Sequence, residues 1–196
     1  MKKLICFFLI LITSGLYAQE KKLINTLIQI NTLKADFKQK TFLKNVGEDT
    51  YFGKLYLIKG EKILWDYSKP YAQFYLFTKD SLTIYDSMNN QLIKQSSNTL
   101  GTEKLIFKLL MEPESINDIF FIVVMDENRY KLYPKENIGL QYIELTLNGN
   151  IVKKIKSIDE QGNNTEITFD NIEINKPISE ATFEKELPKD VETFSY

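Results

Sequence analysis

Apolar residues recur along this chain with two different periods, and the switch between them marks out its elements. Over Glu20 to Ile30 they fall three and four apart, with Leu23, Leu27 and Ile30 on one stripe and Ile24 and Ile28 beside it. Lys21, Lys22, Asn25 and Gln29 take the opposite side, so the segment predicts an amphipathic helix. After Asn31-Thr32 the period drops to two. Leu33, Ala35 and Phe37 alternate with Lys34, Asp36 and Lys38, which predicts a half-buried strand. Lys44 to Thr50 reads as a polar loop around Gly47.

Gly53 to Pro70 predicts two strands and a tight turn. Leu55 and Leu57 share one face of the first strand, Tyr56 and Ile58 the other, because successive strand side chains point to opposite sides. Lys59-Gly60-Glu61-Lys62 turns the chain, and the return strand, Ile63 to Tyr67, carries the only tryptophan, Trp65. Pro70 has no amide hydrogen to donate and closes that strand. Gln73 to Thr78, Leu82 to Asp86 and Gln91 to Gln95 follow as short strands. No helix-length segment separates them, which predicts an antiparallel meander.

Glu103 to Met111 interrupts the strands. Leu105, Ile106, Phe107, Leu109, Leu110 and Met111 cover far more of a helix than the stripe a surface helix needs, and only Glu103, Lys104 and Lys108 are charged. Such a helix is either covered by protein, the commoner case, or faces a ligand. Glu112-Pro113-Glu114 starts a second short helix, with Pro113 in its first turn. Ile119 to Met125 is a continuous apolar run and predicts a strand buried on both faces. Arg129 to Pro134, Leu140 to Leu147, Ile151 to Asp159 and Thr165 to Ile174 complete the strands. Asn148-Gly149 joins two of them as a two-residue hairpin turn.

A chain of 196 residues is long enough for one domain with a proper core. Its 13 Phe and 11 Tyr favour strand-rich structure, and most of them are accounted for by ordinary β-core packing. The first 18 residues read as a cleaved signal peptide: Met1-Lys2-Lys3 supplies the charge, Leu4 to Ile12 the apolar run and Leu16-Tyr17-Ala18 the cleavage site. Residues 19–196 would then be a single exported domain. Cys6 lies inside the signal, so the mature chain needs no thiol or disulfide chemistry. Removing Lys2 and Lys3 from the 25 basic residues leaves 23 against 26 acidic ones, interspersed along the chain. Nucleic acid, which needs a basic patch, is excluded as a partner.

Histidine is absent altogether. With no cysteine in the mature chain, that removes the commonest general base, the thiol nucleophile and the usual zinc ligands together. Glu61, Asp66, Asp80 and Asp86 fall at turns and strand ends, as solvated charges do, and no glycine-rich phosphate loop exists. The chain therefore reads as a non-enzyme without metal or cofactor. An apolar interior with few polar anchors is the make-up of a lipid site.

The order of residues in the hairpin is more specific than its period. A glycine (Gly53), alternating apolar residues, a basic turn residue (Lys59) and then Leu64-Trp65-x-Tyr67-x-x-Pro70 resemble the hairpin of the periplasmic outer-membrane lipoprotein carrier family, LolA. Ala35-Asp36-Phe37-Lys38-Gln39 is similar to the family's preceding Phe-x-Gln strand. Phe183-x-x-x-x-Pro188-x-x-Val191 resembles its closing segment, with Asp190 where a glycine is often found. The likeness runs from about Leu23 to Val191 and is strongest over Phe37 to Tyr85.

That resemblance implies an α+β fold: a curved, incompletely closed antiparallel half-barrel whose concave face is covered by helices and encloses a cavity for acyl chains. The lid would be the helices Glu20 to Ile30 and Glu103 to Met111. The cavity would be lined by Phe37, Leu55, Leu57, Trp65, Tyr67, Leu105, Leu109 and Met111. The family typically places arginine and proline at the hairpin turn, the arginine latching the lid through helix-end carbonyls. Here the pair is Lys59-Gly60, and lysine lacks the planar fork that holds two acceptors. The implied partners are acylated lipoproteins, an ABC-type exporter in the inner membrane and an outer-membrane receptor, served by a periplasmic monomer. Two other readings stay open on the sequence. One keeps the fold but carries another amphiphile such as a glycolipid, or senses lipid; the other is an exported interaction module whose interior is filled.

Overall fold

The computed structural model describes residues 19–96 and 108–196. Helix α1 (residues 19–28) precedes six strands: β1 (Thr32–Leu43), β2 (Gly47–Ile58), β3 (Lys62–Lys69), β4 (Gln73–Thr78), β5 (Ser81–Asp86) and β6 (Gln91–Ser96). The chain re-enters as α2 (described over residues 108–111), a 3₁₀ turn (Pro113–Ser115) and α3 (Ile116–Ile119). Strands β7 (Phe120–Val124), β8 (Arg129–Pro134), β9 (Leu140–Asn148), β10 (Ile151–Asp159) and β11 (Asn164–Ile174) follow. A 3₁₀ turn (Glu180–Phe183) and β12 (Glu192–Ser195) end it. The predicted signal peptide and Glu103 to Phe107, including Leu105, lie outside the described residues.

All twelve strands join one sheet in the order β12-β6-β5-β4-β3-β2-β1-β11-β10-β9-β8-β7. The sheet does not close, and β7 and β12 are its edges. Strands β4 and β9 are six strand spacings apart, ~29 Å on a flat sheet. Yet Tyr75 and Phe77 of β4 and Ile143 of β9 border one hollow, so the sheet is bent into a bowl. The open, curved sheet is the expected architecture, with one departure: β12 runs parallel to β6, which makes the sheet mixed.

Two further expectations are corrected. Lys44 to Thr50 is not a loop. Strands β1 and β2 are each 12 residues long and pair from Thr32↔Ile58 out to Leu43↔Gly47. Only 44–46 form the turn, with Asn45 at φ 70. This end of the ribbon projects past the core and is largely exposed on both faces, Phe42, Leu43 and Val46 included, so backbone ladder bonds hold it without the alternation that burial imprints on a strand. The run Ile119 to Met125 is not buried on both faces either. Strand β7 is an edge strand. Phe120 is buried, while Phe121 and Val123 on the other face are 61% and 44% exposed.

The main core fills the concave side. Leu23, Leu27 and Ile30 at the first helix, with Leu109, Met111 and Ile116, pack onto the inward residues of the strands. A smaller core lies on the convex side, where Ile178, Phe183, Leu187 and Val191 cover Leu64, Phe74 and Leu92. The bowl is thus roofed inside by helices and braced outside by the C-terminal segment.

Candidate functional site

The strand period sets the inward row that forms the floor. Pairing places Phe37 opposite Gly53 and Gly53 opposite Tyr67; Ala35, Leu55 and Trp65 form the next row, and Leu33, Leu57 and Ile63 the one after. The Phe37 ring lies across the Gly53 backbone. A Cβ on Gly53 would sit 2.2 Å from the Asp66 carbonyl oxygen and 2.6 Å from Phe37 Cζ, so only glycine fits. With that space free, Phe37 meets Tyr67 edge-on at 5.0 Å and Trp65 at 5.5 Å between ring centres. Such aromatic pairs add about 0.5–1.5 kcal/mol beyond their buried area.

Two hollows open over this floor. Beneath α1 a gap of about 30 Å³ is lined by Leu27, Leu55, Leu57, Leu110 and Phe169, among others. Beside it, sharing Ile155, a hollow of about 250 Å³ is bordered by Trp65, Tyr67, Tyr75, Phe77, Leu109 and Ile143. The structure therefore places Leu55 and Leu57 at the narrow gap and Trp65, Tyr67 and Leu109 at the wider hollow. Phe37 and Met111 belong to the same buried cluster but line neither.

Among the described residues no charged one lines either hollow. Its polar groups are largely paired with one another. Tyr67 Oη donates to Gln39 Oε1 (2.9 Å), and Gln39 Nε2 donates to Thr41 Oγ1 (3.1 Å). Thr41 Oγ1 lies 3.4 Å from Thr165 Oγ1. Burial pushes the Tyr67 phenol well above the usual tyrosine range, with the Tyr75 and Tyr51 phenols adding to the rise, so it stays a donor. The indole Nε1 of Trp65 is buried without a hydrogen-bond partner. Among the described residues no cluster of side chains could hold a metal ion, and no helix is long and apolar enough to cross a membrane.

The roof is held at its C-terminal end by two elements far away in sequence. The last carbonyls of a helix have no partner within it. Lys59, at the β2–β3 turn, donates from its ammonium to the Ile28 carbonyl and from its amide to Asn31 O (2.8 Å). Asn175, just past β11, donates from Nδ2 to Gln29 O (2.9 Å), while its Oδ1 accepts from the Asn31 amide (2.7 Å). Near the other end, the Lys22 ammonium donates to Glu127 O (3.1 Å) at the β7–β8 turn. Sequence reasoning missed Asn175. Its only local signal is an asparagine directly after an apolar strand, where φ is +57, a backbone region that asparagine tolerates better than most residues.

Comparison with known proteins agrees with this geometry. The family profile described as outer membrane lipoprotein carrier protein LolA matches residues 28–186. The chain is 27% identical over 197 residues to an outer-membrane lipoprotein carrier protein of Francisella tularensis subsp. novicida, covering 98% of this chain and 96% of that one. Among solved structures it resembles an uncharacterized conserved protein of Thermus thermophilus (TM-score 0.56, 14% identity, 92% of this chain and 98% of that one). It also resembles a putative outer membrane lipoprotein-sorting protein domain of Vibrio parahaemolyticus (TM-score 0.51, 11% identity, 87% and 96%). At those identities the structural likenesses show a shared fold.

Proposed function

This chain belongs to the outer membrane lipoprotein carrier family, whose members are carriers rather than enzymes, and we propose that it shelters the acyl chains of lipoproteins in its bowl while they cross the periplasm. The observation that carries this reading is the hollow between the aromatic floor and Leu109, lined by no charged side chain among the described residues, beside the narrower gap beneath a helix whose end is pinned from two sides. Residues 1–18 serve as the export signal, and 19–196 act as one carrier domain. An ABC-type inner-membrane exporter supplies the cargo, and an outer-membrane receptor is the acceptor.

The size of the hollow bears on how such a carrier would load and release its cargo. At about 250 Å³ it is smaller than the roughly 300–1,000 Å³ of a drug-sized ligand pocket, so several acyl chains enter only if the roof moves. Each methylene transferred from water gains about 0.8 kcal/mol, and full burial of three long chains would exceed any measured non-covalent affinity. A gap that must be forced open returns part of that gain. A roof that closes over the chains thereby serves release as well as solubility. Phe37, Leu55, Leu57, Trp65, Tyr67, Leu109 and Met111 form the lining in the open state, and Lys59 is the latch.

The test is recovery of the protein from the periplasm under non-denaturing conditions, followed by mass spectrometry of the extracted lipid. Triacylated peptide at near one equivalent supports the proposal. Glycolipid in its place keeps the carrier and changes the cargo, and an empty protein after exposure to acylated lipoprotein overturns the reading.

A further inference from the structure

The concave face is not uniformly greasy, and the change of polarity has a direction. Along β1 the inward residues pass from Phe37 to Gln39 and Thr41; along β11 they pass from Ile167 to Thr165, and along β10 from Ile155 to Ser157. Register puts Thr41, Thr165 and Ser157 side by side across three strands. The polar ends of the three strands thus coincide at the rim formed by the 44–46 and 160–163 turns. There a further hollow of about 360 Å³, lined by Thr41, Ser157, Asp159, Asn163 and Thr165 among others, adjoins the apolar one; Ser157 and Thr165 line both.

The chemistry of this rim is that of neutral hydrogen bonding. Hydroxyls and side-chain amides both donate and accept. Among the described residues Asp159 is the one charged residue bordering either hollow, and its carboxylate accepts from the Asn163 amide (2.8 Å) and Asn163 Nδ2 (2.6 Å). Lys44 meets Asn163 through its backbone amide (2.9 Å), not as a lining cation. An anionic head placed here finds a carboxylate and no counter-charge, whereas ester or amide carbonyls find several donors.

We infer that this rim hollow is the head subsite for the carried amphiphile. It takes an uncharged linkage bearing ester or amide carbonyls and hydroxyls, and disfavours an anionic phosphate head carrying the same tails. The tails point toward Leu109 and Ile143, and the rest of the cargo leaves between the 44–46 and 160–163 turns. The inference rests on the carrier reading and deepens it, because it supplies a selection against bulk phospholipid that a greasy cavity alone lacks.

The experiment uses the whole mature chain, an apolar fluorescent dye as reporter of the hollow, and two competitors with the same tails, dioctanoylglycerol and dioctanoyl phosphatidic acid. The neutral lipid is expected to displace the dye at about tenfold lower concentration, equivalent to one or two net hydrogen bonds gained or lost. Asp159→Asn, which removes the charge and keeps one of the two acceptor oxygens that hold Asn163, is expected to narrow that preference to about threefold, the scale of one screened charge pair. Thr165→Val is expected to weaken the glycerol lipid more than the phosphatidic acid. Equal competition by both lipids in the unaltered protein overturns the inference, and so do variants that weaken both in proportion. If the dye binds and neither lipid displaces it, the head subsite falls while the apolar hollow stands. If the dye itself does not enter, the carrier reading fails with it.

Discussion

The side-chain amide of Asn175 donates to the carbonyl of Gln29 at 2.9 Å, tying the end of the roofing helix to a residue 146 positions later in the chain. Its Oδ1 also accepts from the Asn31 amide, so one residue closes both faces of the helix exit. Loss of the side chain frees a donor and an acceptor at once. Asn175→Gly, which keeps the positive φ accessible, is expected to lower stability by about 1–2 kcal/mol, two net hydrogen bonds, and to speed entry of an apolar dye. Urea unfolding and stopped-flow fluorescence measure the two effects. Unchanged dye entry beside the lost stability marks Asn175 as structural only.

Lys59 approaches the same helix end from the other side, its ammonium on the Ile28 carbonyl. Replacement with methionine keeps the stem and removes the donor, so α1 should lift more readily; the expected outcome is faster exchange of bound lipid at slightly reduced stability. Lys59→Arg supplies a planar fork able to hold two carbonyls and should slow exchange several-fold. Exchange rates that do not move in opposite directions for the two variants contradict a latch.

Gly53 is where the floor has no room for a side chain. Gly53→Ala drives a Cβ into the Asp66 carbonyl oxygen and the Phe37 ring, and overpacking of this kind costs typically about 1–3 kcal/mol. A lowered thermal midpoint is expected, together with disturbed near-ultraviolet dichroism from Trp65 and Tyr67, whose rings pack tilted and edge-on against Phe37. Gly60→Ala, with nothing within 4 Å of its added Cβ but a φ of +78, separates steric clash from backbone strain and should cost less and leave the aromatic signal intact.

The raised phenols of Tyr51 and Tyr67 predict alkaline instability. A tyrosine in the unfolded chain ionises near pH 10. In the folded chain, burial first and then the Tyr71 hydroxyl push Tyr51 up to about 12, and burial pushes Tyr67 further still. Between pH 10 and 12 the unfolded chain has lost protons that the folded chain keeps. Stability therefore falls as pH rises through that window, and below it these groups contribute no pH dependence. Urea midpoints should decline above pH 10 in the unaltered protein and less steeply in Tyr67→Phe. Equal slopes contradict the assignment.

Much of the fold is legible in the residue pattern. Strands β4, β8 and β10 begin and end where the pattern puts them; in β8 burial of Tyr130 and Leu132 on one face imprints the period of two, while β4 buries Phe77 on one face and Phe74 on the other. The pattern fails where burial does not act. The outer halves of β1 and β2 are held by ladder bonds beyond the core, and β12 has four exposed residues and no alternation at all. The run Phe120 to Val124 misleads in the opposite sense, since Phe121 and Val123 are apolar yet face outward at an edge.

The site divides in the same way. Phe37, Leu55, Leu57, Trp65 and Tyr67 share the concave floor because strand period and the glycine-containing hairpin fix their side. Asn175 could not be paired with Gln29 from the sequence, since nothing local encodes a contact across 146 residues. Nor does composition show that the hollow is divided into a narrow gap, a wider pocket and a polar rim. That division comes from the bend of the sheet, which brings β4 and β9 to one space.

Leu109, on α2, hangs over the wider hollow and is almost wholly buried, so it separates a carrier from a packed interior. The decisive measurement is native mass spectrometry of the mature chain after incubation with spheroplasts that export an acylated lipoprotein, run beside Leu109→Glu and a thermal melt of both. The account predicts a one-to-one complex for the unaltered protein and its loss in a variant that still melts cooperatively. No complex with the unaltered protein, or a variant that binds as well as its parent, contradicts it.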